Sequence, residues 1–235
     1  MSESETDHNQ HAGEEKTGYD IYGPRHRALQ AQFDVEKLAD RVADIIVKPT
    51  VSDEQKAFIE SRDMFFLSTI DHRGYPTCSY KGGDRGFVQV IDSETLVFPS
   101  YDGNAMFLSM GNIEANDKIG MLFIDFETPN RVRLHGTASV REYDPLMGRF
   151  PGAQLLVKVA LTEIFFNCPR YIHKYKRVES SHYAPRVDHE PPPPQWKRID
   201  AVQDALPERD RDIADKLGGI LSSEEYGALV ENGKG

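Results

Sequence analysis

The stretch Ser79-Tyr80-Lys81-Gly82-Gly83-Asp84-Arg85-Gly86 sets a lysine, an arginine and three glycines between two apolar runs. A two-residue hairpin needs only one glycine or an Asn-Gly pair. Glycines leave backbone N–H groups free to converge on an anion, and Lys81 adds a positive charge beside them. The chemistry on offer is the holding of a phosphate or carboxylate. The pattern is not a Walker A loop, because GxxxxGK[ST] is absent and the lysine precedes the glycines. Nor is it a dinucleotide fingerprint, since no helical pattern follows. Read alone, the stretch is more simply a mobile hairpin with solvated charges.

Two further stretches bear on an anion site. In Phe98-Pro99-Ser100-Tyr101-Asp102-Gly103-Asn104-Ala105, a strand runs into a polar loop, and a helix is predicted over residues 103–113. Helix N-termini favour phosphate through free N–H groups and the dipole. Ser100 and Asn104 can add hydrogen bonds, whereas the ordinary alternative is capping by Asp102 or Asn104. Arg131 and Arg133, two apart on a strand, face one side, where they meet solvent or an anionic or electron-rich ligand. His135 shares that face and reads as a surface or structural histidine; His72 and His173 receive no catalytic role. Cys168, before Pro169, reads as buried and structural, because no activating base can be named. No catalytic residue and no metal site are assigned, although His8 and His11 are noted in the polar N-terminal segment.

These residues need a scaffold. The chain has 235 residues and a formal net charge of −10, which argues against wrapping nucleic acid and against an anionic membrane surface. No apolar run has transmembrane length, and the two cysteines form no CxxC, so a cytoplasmic setting is expected. Residues 1–20 have too few apolar groups to offset ordering and are expected to be disordered. Leu29, Phe33, Leu38, Val42, Ile45 and Ile46 recur at helical spacing, with Asp34 as a candidate cap, so helices over 21–62 are expected to pack on the rest. Ser52 and Gln55 form a capping box for a short helix. From residue 64 onward, short apolar runs alternate with turns, in MFFLSTI, TCSY, FVQVI, TLVFP, IGMLFID, VRLHGTASV and VKVALTEIFF. That pattern predicts a barrel or sandwich. The PPPP run at 191–194 is a spacer, and short helices are expected near 208–217 and 222–230.

The order of these pieces resembles the pyridoxamine 5′-phosphate oxidase-like family. The residues that carry the resemblance are the lysine-glycine strand, the strand ending Phe98-Pro99-Ser100-Tyr101, the following helix, GMLFIDF and RVRLHGTASV, over about residues 63–140. It extends more loosely to FFNCPRYIHKY at 165–175. The resemblance implies a mainly β fold with flanking helices (α+β), a six-stranded antiparallel split β-barrel over 63–182 that binds FMN. The helical segment 21–62 precedes it, and a proline-rich and helical extension, 183–235, follows. FMN would lie between the two subunits of a homodimer. Ser79, Tyr80, Lys81 and Gly82 would flank the flavin and its phosphate. Ser100, Tyr101 and Asn104 would meet the ribityl chain and phosphate. Arg131, where many members place a glutamine, and Arg133 would sit near the ring, and Asn167 would supply a partner contact. Phe98, Tyr101, Phe107 and Phe123 are candidate apolar walls.

The chain departs from the family in two places. Members often carry Arg-Lys at the helix start, where this chain has Asn104 and Ala105. The Trp-Gly-Gly, Phe-Trp-Gln and Arg-Leu segments of the vitamin oxidases are absent, and Trp196 stands alone after the prolines. The expected function is therefore an FMN-dependent oxidoreductase, oxidase or reductase, acting on a small molecule other than the vitamin. The alternatives are an FMN carrier or redox sensor without turnover, or a related split barrel binding haem or deazaflavin.

Overall fold

The structure, a computed structural model, describes residues 21–235; the expectations for residues 1–20, including His8 and His11, lie outside the described residues. Three helices come first: α1 (Pro24–Gln32), α2 (Glu36–Ile46) and α3 (Asp53–Glu60). The capping box of α3 forms as expected, with the Gln55 amide donating to Ser52 Oγ at 3.2 Å and the Ser52 amide donating to Gln55 Oε1 at 3.0 Å. Asp34 does not cap α2: it adopts φ 53°, and Val35 takes the cap position. The expected packing of the first two helices is also corrected. Leu29, Phe33, Leu38, Val42 and Ile45 are exposed, and of α2 only Ala43 is buried. It is α3 that reaches the core, through the fully buried Ile59.

Seven strands follow: β1 (Met64–Ile70), β2 (Pro76–Gly82), β3 (Gln89–Asp92), β4 (Thr95–Tyr101), β5 (Lys118–Asp125), β6 (Asn130–Arg141) and β7 (Ala153–Asn167). They form one antiparallel sheet in the order β2-β1-β5-β6-β7-β4-β3. The fold is α+β and mainly β, as expected, but the strand count is seven rather than six. Each of the seven apolar runs contributes a strand; the shortest, the four-residue edge strand β3, pairs only with β4. No ladder joins β2 to β3, so the sheet is open.

That strand order changes the meaning of the glycine-rich stretch. It is not a hairpin, because β2 and β3 lie at opposite margins of the sheet. Seven extended steps from Gly82 to Gln89 cover at most about 25 Å, whereas a flat seven-stranded sheet is about 29 Å across. The sheet must therefore curl until its margins approach. The aromatic core records the same curl. Phe65 of β1 and Phe98 of β4 have three strands between them in the sheet, yet their ring centroids are 5.0 Å apart. Phe123 of β5 lies 5.2 Å from Phe65, and Phe87, from the crossover itself, stacks on Phe65 at 5.8 Å. Phe87 and Val88, expected in a strand, instead close the end of the core.

Local residue choices fix this curl. At Gly83 an added Cβ would run into the Phe87 ring, and Gly86 has φ +82°. A bulge in β7 falls opposite His135 and Gly136 of β6, leaving Thr162 of β7 without an opposed residue. There the Gly136 backbone lies so close to Ala160 that a Cβ would press on its carbonyl oxygen, a close approach open only to glycine. After β4 comes α4 (Leu108–Ala115), and after β7 the chain continues through 3-10 turns into α5 (Ile213–Lys216) and α6 (Ser223–Glu231). Among the described residues no helix is long and apolar enough to cross a membrane. Gly136→Ala is expected to destabilise the protein by about 1–3 kcal/mol, as overpacking does, read as a lowered urea midpoint. An unchanged midpoint would remove the bulge from the account of the curl.

Candidate functional site

Thr77, Ser79 and Lys81 alternate onto the face of β2 that meets the core, opposite Thr69, Leu67 and Phe65 of β1. The Thr69 and Thr77 hydroxyls lie 2.6 Å apart, and the Asn112 side chain of α4 donates to them at 3.0 and 3.4 Å. This polar seam docks α4 against the Thr77 end of the face that also carries Ser79 and Lys81. Lys81 is opposed to Phe65, which has no exposed surface. Burial pushes its pKa below the ordinary lysine value, and no carboxylate among the described residues acts to raise it.

The helix facing this strand opens later than predicted, at Leu108 rather than near residue 103. Ala105 (φ 63°) and Phe107 (φ 48°) occupy the left-handed region, a strained conformation for residues with a side chain. Neither predicted cap is used. Asn104 Oδ1 accepts from the Met106 amide at 3.2 Å, and Asp102 is held by Gln154 at 3.0 Å and Lys197 at 2.8 Å. With no side-chain cap, the first amides of α4 remain available to an acceptor. Met106, Phe107 and Leu108 are exposed around them.

On the opposite face of the sheet, Arg131 and Asn167 are directly opposed across β6 and β7. Arg131 Nε and Asn167 Oδ1 are both buried without a hydrogen-bond partner among the described residues. A donor and an acceptor left unsatisfied side by side are costly and call for a ligand group or partner. Arg133 lies two residues on, exposed, and His135 Nδ1 is 2.7 Å from Glu163 Oε1. That contact accounts for His135 as a structural histidine.

A cavity of about 510 Å³ opens where β2 meets the crossover. Tyr80, Gly82, Gly83, Arg85 and Tyr101 form one wall, and the segment 175–185 forms the other. Burial, with the Asp84 carboxylate's field added, pushes the Tyr101 phenol up to about 12; like any tyrosine it can donate a hydrogen bond at neutral pH. Burial and the nearby Asp63 carboxylate raise Tyr80 as well, against the opposing Arg177. At the cavity floor Arg62 pairs with Asp125 at 2.9 Å, and Arg177 pairs with Asp63 at 3.2 Å. Burial alone would raise Asp125, but the Thr128 and Glu127 amides and Arg62 hold it below the usual carboxylate range. A second hollow of about 560 Å³ on the outer face is lined by Arg133, His135, Gly120 and Glu163.

The predicted site residues thus fall into three places. Tyr80, Gly82 and Tyr101 share the first cavity, Arg133 lines the second, and Arg131 and Asn167 form the unsatisfied pair. Ser79, Lys81, Ser100 and Asn104 line neither cavity. Phe98 and Phe123 are fully buried core rather than ligand walls, and Phe107 is exposed. Cys168 is exposed, a correction that follows from the end of β7 at Asn167, where the chain leaves the sheet. Lys197, and the wall contributed by residues 175–185, carried no motif in the sequence.

Residues 51–168 match the model of the family described as pyridoxamine 5′-phosphate oxidase, and the chain belongs to that family. Among solved structures it is similar to HupZ of Group A Streptococcus, with 20% identity over 54% of this chain and 99% of that one and a TM-score of 0.41. It is also similar to an FMN-binding protein from Syntrophomonas wolfei, at 12% identity, covering 60% and 97% of the two chains, with a TM-score of 0.38. A protein of the pyridoxinephosphate oxidase family from Clostridium acetobutylicum matches at 14% identity, covering 48% and 85%, with a TM-score of 0.35. No curated protein matches the chain.

The environment of Lys81 makes a thermodynamic prediction. Its lowered folded pKa means that the unfolded chain binds the proton more tightly, so the ammonium is a burden on stability at neutral pH. Lys81→Met is expected to raise the Tm of the ligand-free protein at pH 7. The gap should narrow as pH rises from the folded pKa through the unfolded value of about 10.4, where both states lose the proton. A Tm that falls on substitution would mean that the ammonium has a stabilising partner.

Proposed function

We propose that this protein is an FMN-dependent oxidoreductase, oxidase or reductase, that acts on a small molecule other than the vitamin. It works as a homodimer of split barrels, with the cofactor held between subunits. The observation that carries this reading is Lys81, a half-buried ammonium on the core-facing side of β2 that has no carboxylate partner among the described residues. Membership of the family supports it.

The residues fit a phosphorylated flavin. Lys81 and the uncapped amides of α4 would hold the phosphate, with the Ser100 hydroxyl as a further donor. Because Arg131 and Asn167 lie on the outer face, opposite to Lys81, the ring they meet would belong to the flavin whose phosphate the other subunit holds: Arg131 Nε would donate to an acceptor on its edge and Asn167 Oδ1 would accept, which satisfies both orphaned atoms. Arg133 adds positive potential on the same face. Bound flavin supplies two-electron redox chemistry. Tyr101 stays protonated and donates, and the cavity lined by Tyr80, Gly82 and Tyr101 would orient the small molecule and exclude water. A second subunit would cover the exposed run Met106-Phe107-Leu108, an apolar surface of the kind that marks interfaces. Two exposed, unpaired cysteines, Cys78 and Cys168, suit a reducing cytoplasm.

The visible spectrum of the purified protein, before and after incubation with FMN, tests this. A flavin spectrum bleached by NAD(P)H supports the enzyme, and a flavin spectrum that no common donor alters turns the reading toward a carrier. A Soret band, or a protein that stays colourless with FMN, overturns it. Arg131→Met is expected to raise the Kd for FMN at least tenfold while the dimer persists by analytical ultracentrifugation.

A further inference from the structure

Lys197 belongs to the C-terminal extension, beyond the residues that match the family. It is buried in a 3-10 turn (Gln195–Arg198), and its ammonium is shared by two carboxylates, Asp102 Oδ2 at 2.8 Å and Asp210 Oδ2 at 2.9 Å. Burial opposes its charge, but the hydrogen bonds it donates to both aspartates outweigh that and hold its pKa above the ordinary lysine value. The turn is itself anchored. Arg198 Nε donates to the Gly219 carbonyl at 2.8 Å, and its guanidinium donates to Gln195 Oε1 at 2.7 Å. Backbone bonds tie Asp200 and Arg198 to Leu221 at 2.9 and 2.8 Å.

Asp102 stands at the far end of this connection. It directly follows Tyr101 in the loop between β4 and α4, lines the cavity beside Gly82, Gly83 and Arg85, and lies in the same loop as the strained Ala105 and Phe107. A carboxylate in this loop would repel an incoming phosphate. At such range screening by salt is incomplete, and the Asp102 side chain is exposed, so its charge is open to an approaching ligand.

We infer that Lys197 is a positioning residue: by fixing and neutralising Asp102 it lets the β4–α4 loop accept a phosphate, so the C-terminal extension sets the ligand affinity of the family's barrel. The affinity component rests on the FMN reading above; the tie between Lys197 and the loop does not.

FMN fluorescence quenching and hydrogen–deuterium exchange of residues 102–107 test it together. Lys197→Met is expected to raise the Kd for FMN at least tenfold, and Lys197→Arg to stay within about threefold of wild type. Adding Asp102→Ala to Lys197→Met should recover most of the lost affinity, because the uncompensated carboxylate is gone. A merely structural role predicts no recovery. Wild-type affinity in Lys197→Met, or a double variant as weak as the single, overturns the proposal. If Lys197→Met does not fold, Asp102→Ala, which leaves Lys197 its Asp210 partner, decides: faster exchange over 102–107 supports the tie, and unchanged exchange overturns it. If wild type binds no FMN, the phosphate reading fails alone, and the same exchange comparison judges the tie.

Discussion

The crossover from Gly82 to Gln89 is the constraint on which the rest of the molecule depends. It is too short to pass over a flat sheet, so the two margins must be drawn together and the interior strands must bend around one core. Phe65, Phe98, Phe123 and the crossover's own Phe87 fill that core. Once the curl is set, Lys81 is directed inward and Arg131 outward, because a strand alternates its side chains between faces.

The candidate site is built from groups that the fold leaves uncompensated. The Lys81 ammonium, the Arg131 Nε and Asn167 Oδ1 atoms, and the uncapped start of α4 each lie where a folded chain would ordinarily provide a partner. Natural sequences violate local consistency chiefly at functional positions. The polar groups that serve structure are satisfied instead: Asn112 on Thr69 and Thr77, His135 on Glu163, and Asp125 on Arg62 and two amides.

Much of this was legible in the amino-acid pattern. Strand β6 reads directly from alternating Val132, Leu134 and Gly136 against Arg133 and His135, and the α3 capping box from Ser52 and Gln55. Family likeness points to Arg131 near the ring and, separately, to Asn167 as a partner contact; that the two stand opposite one another is visible only in the β6–β7 register. The role of the glycine-rich stretch was not legible. Local periodicity cannot distinguish a hairpin from a crossover, because strand order is fixed by contacts between residues far apart in the chain. The start of α4 was missed because Ala105 and Phe107 adopt left-handed backbone, which their residue types do not announce. The exposed faces of α1 and α2 show the limit of helical spacing: it marks an apolar stripe but not what that stripe meets.

The double attachment of residues 83–88 also bears on how the molecule resists proteases. An ordinary surface loop is cut at a rate governed by its own fluctuations. Here Phe87 and Val88 are embedded in the interior, and the peptide bonds beside them become accessible only when both rims of the sheet separate. Cleavage at the bonds beside Phe87 and Val88 should therefore follow global unfolding rather than local opening. A segment whose composition suggests the weakest point of the chain is instead its cooperative clasp.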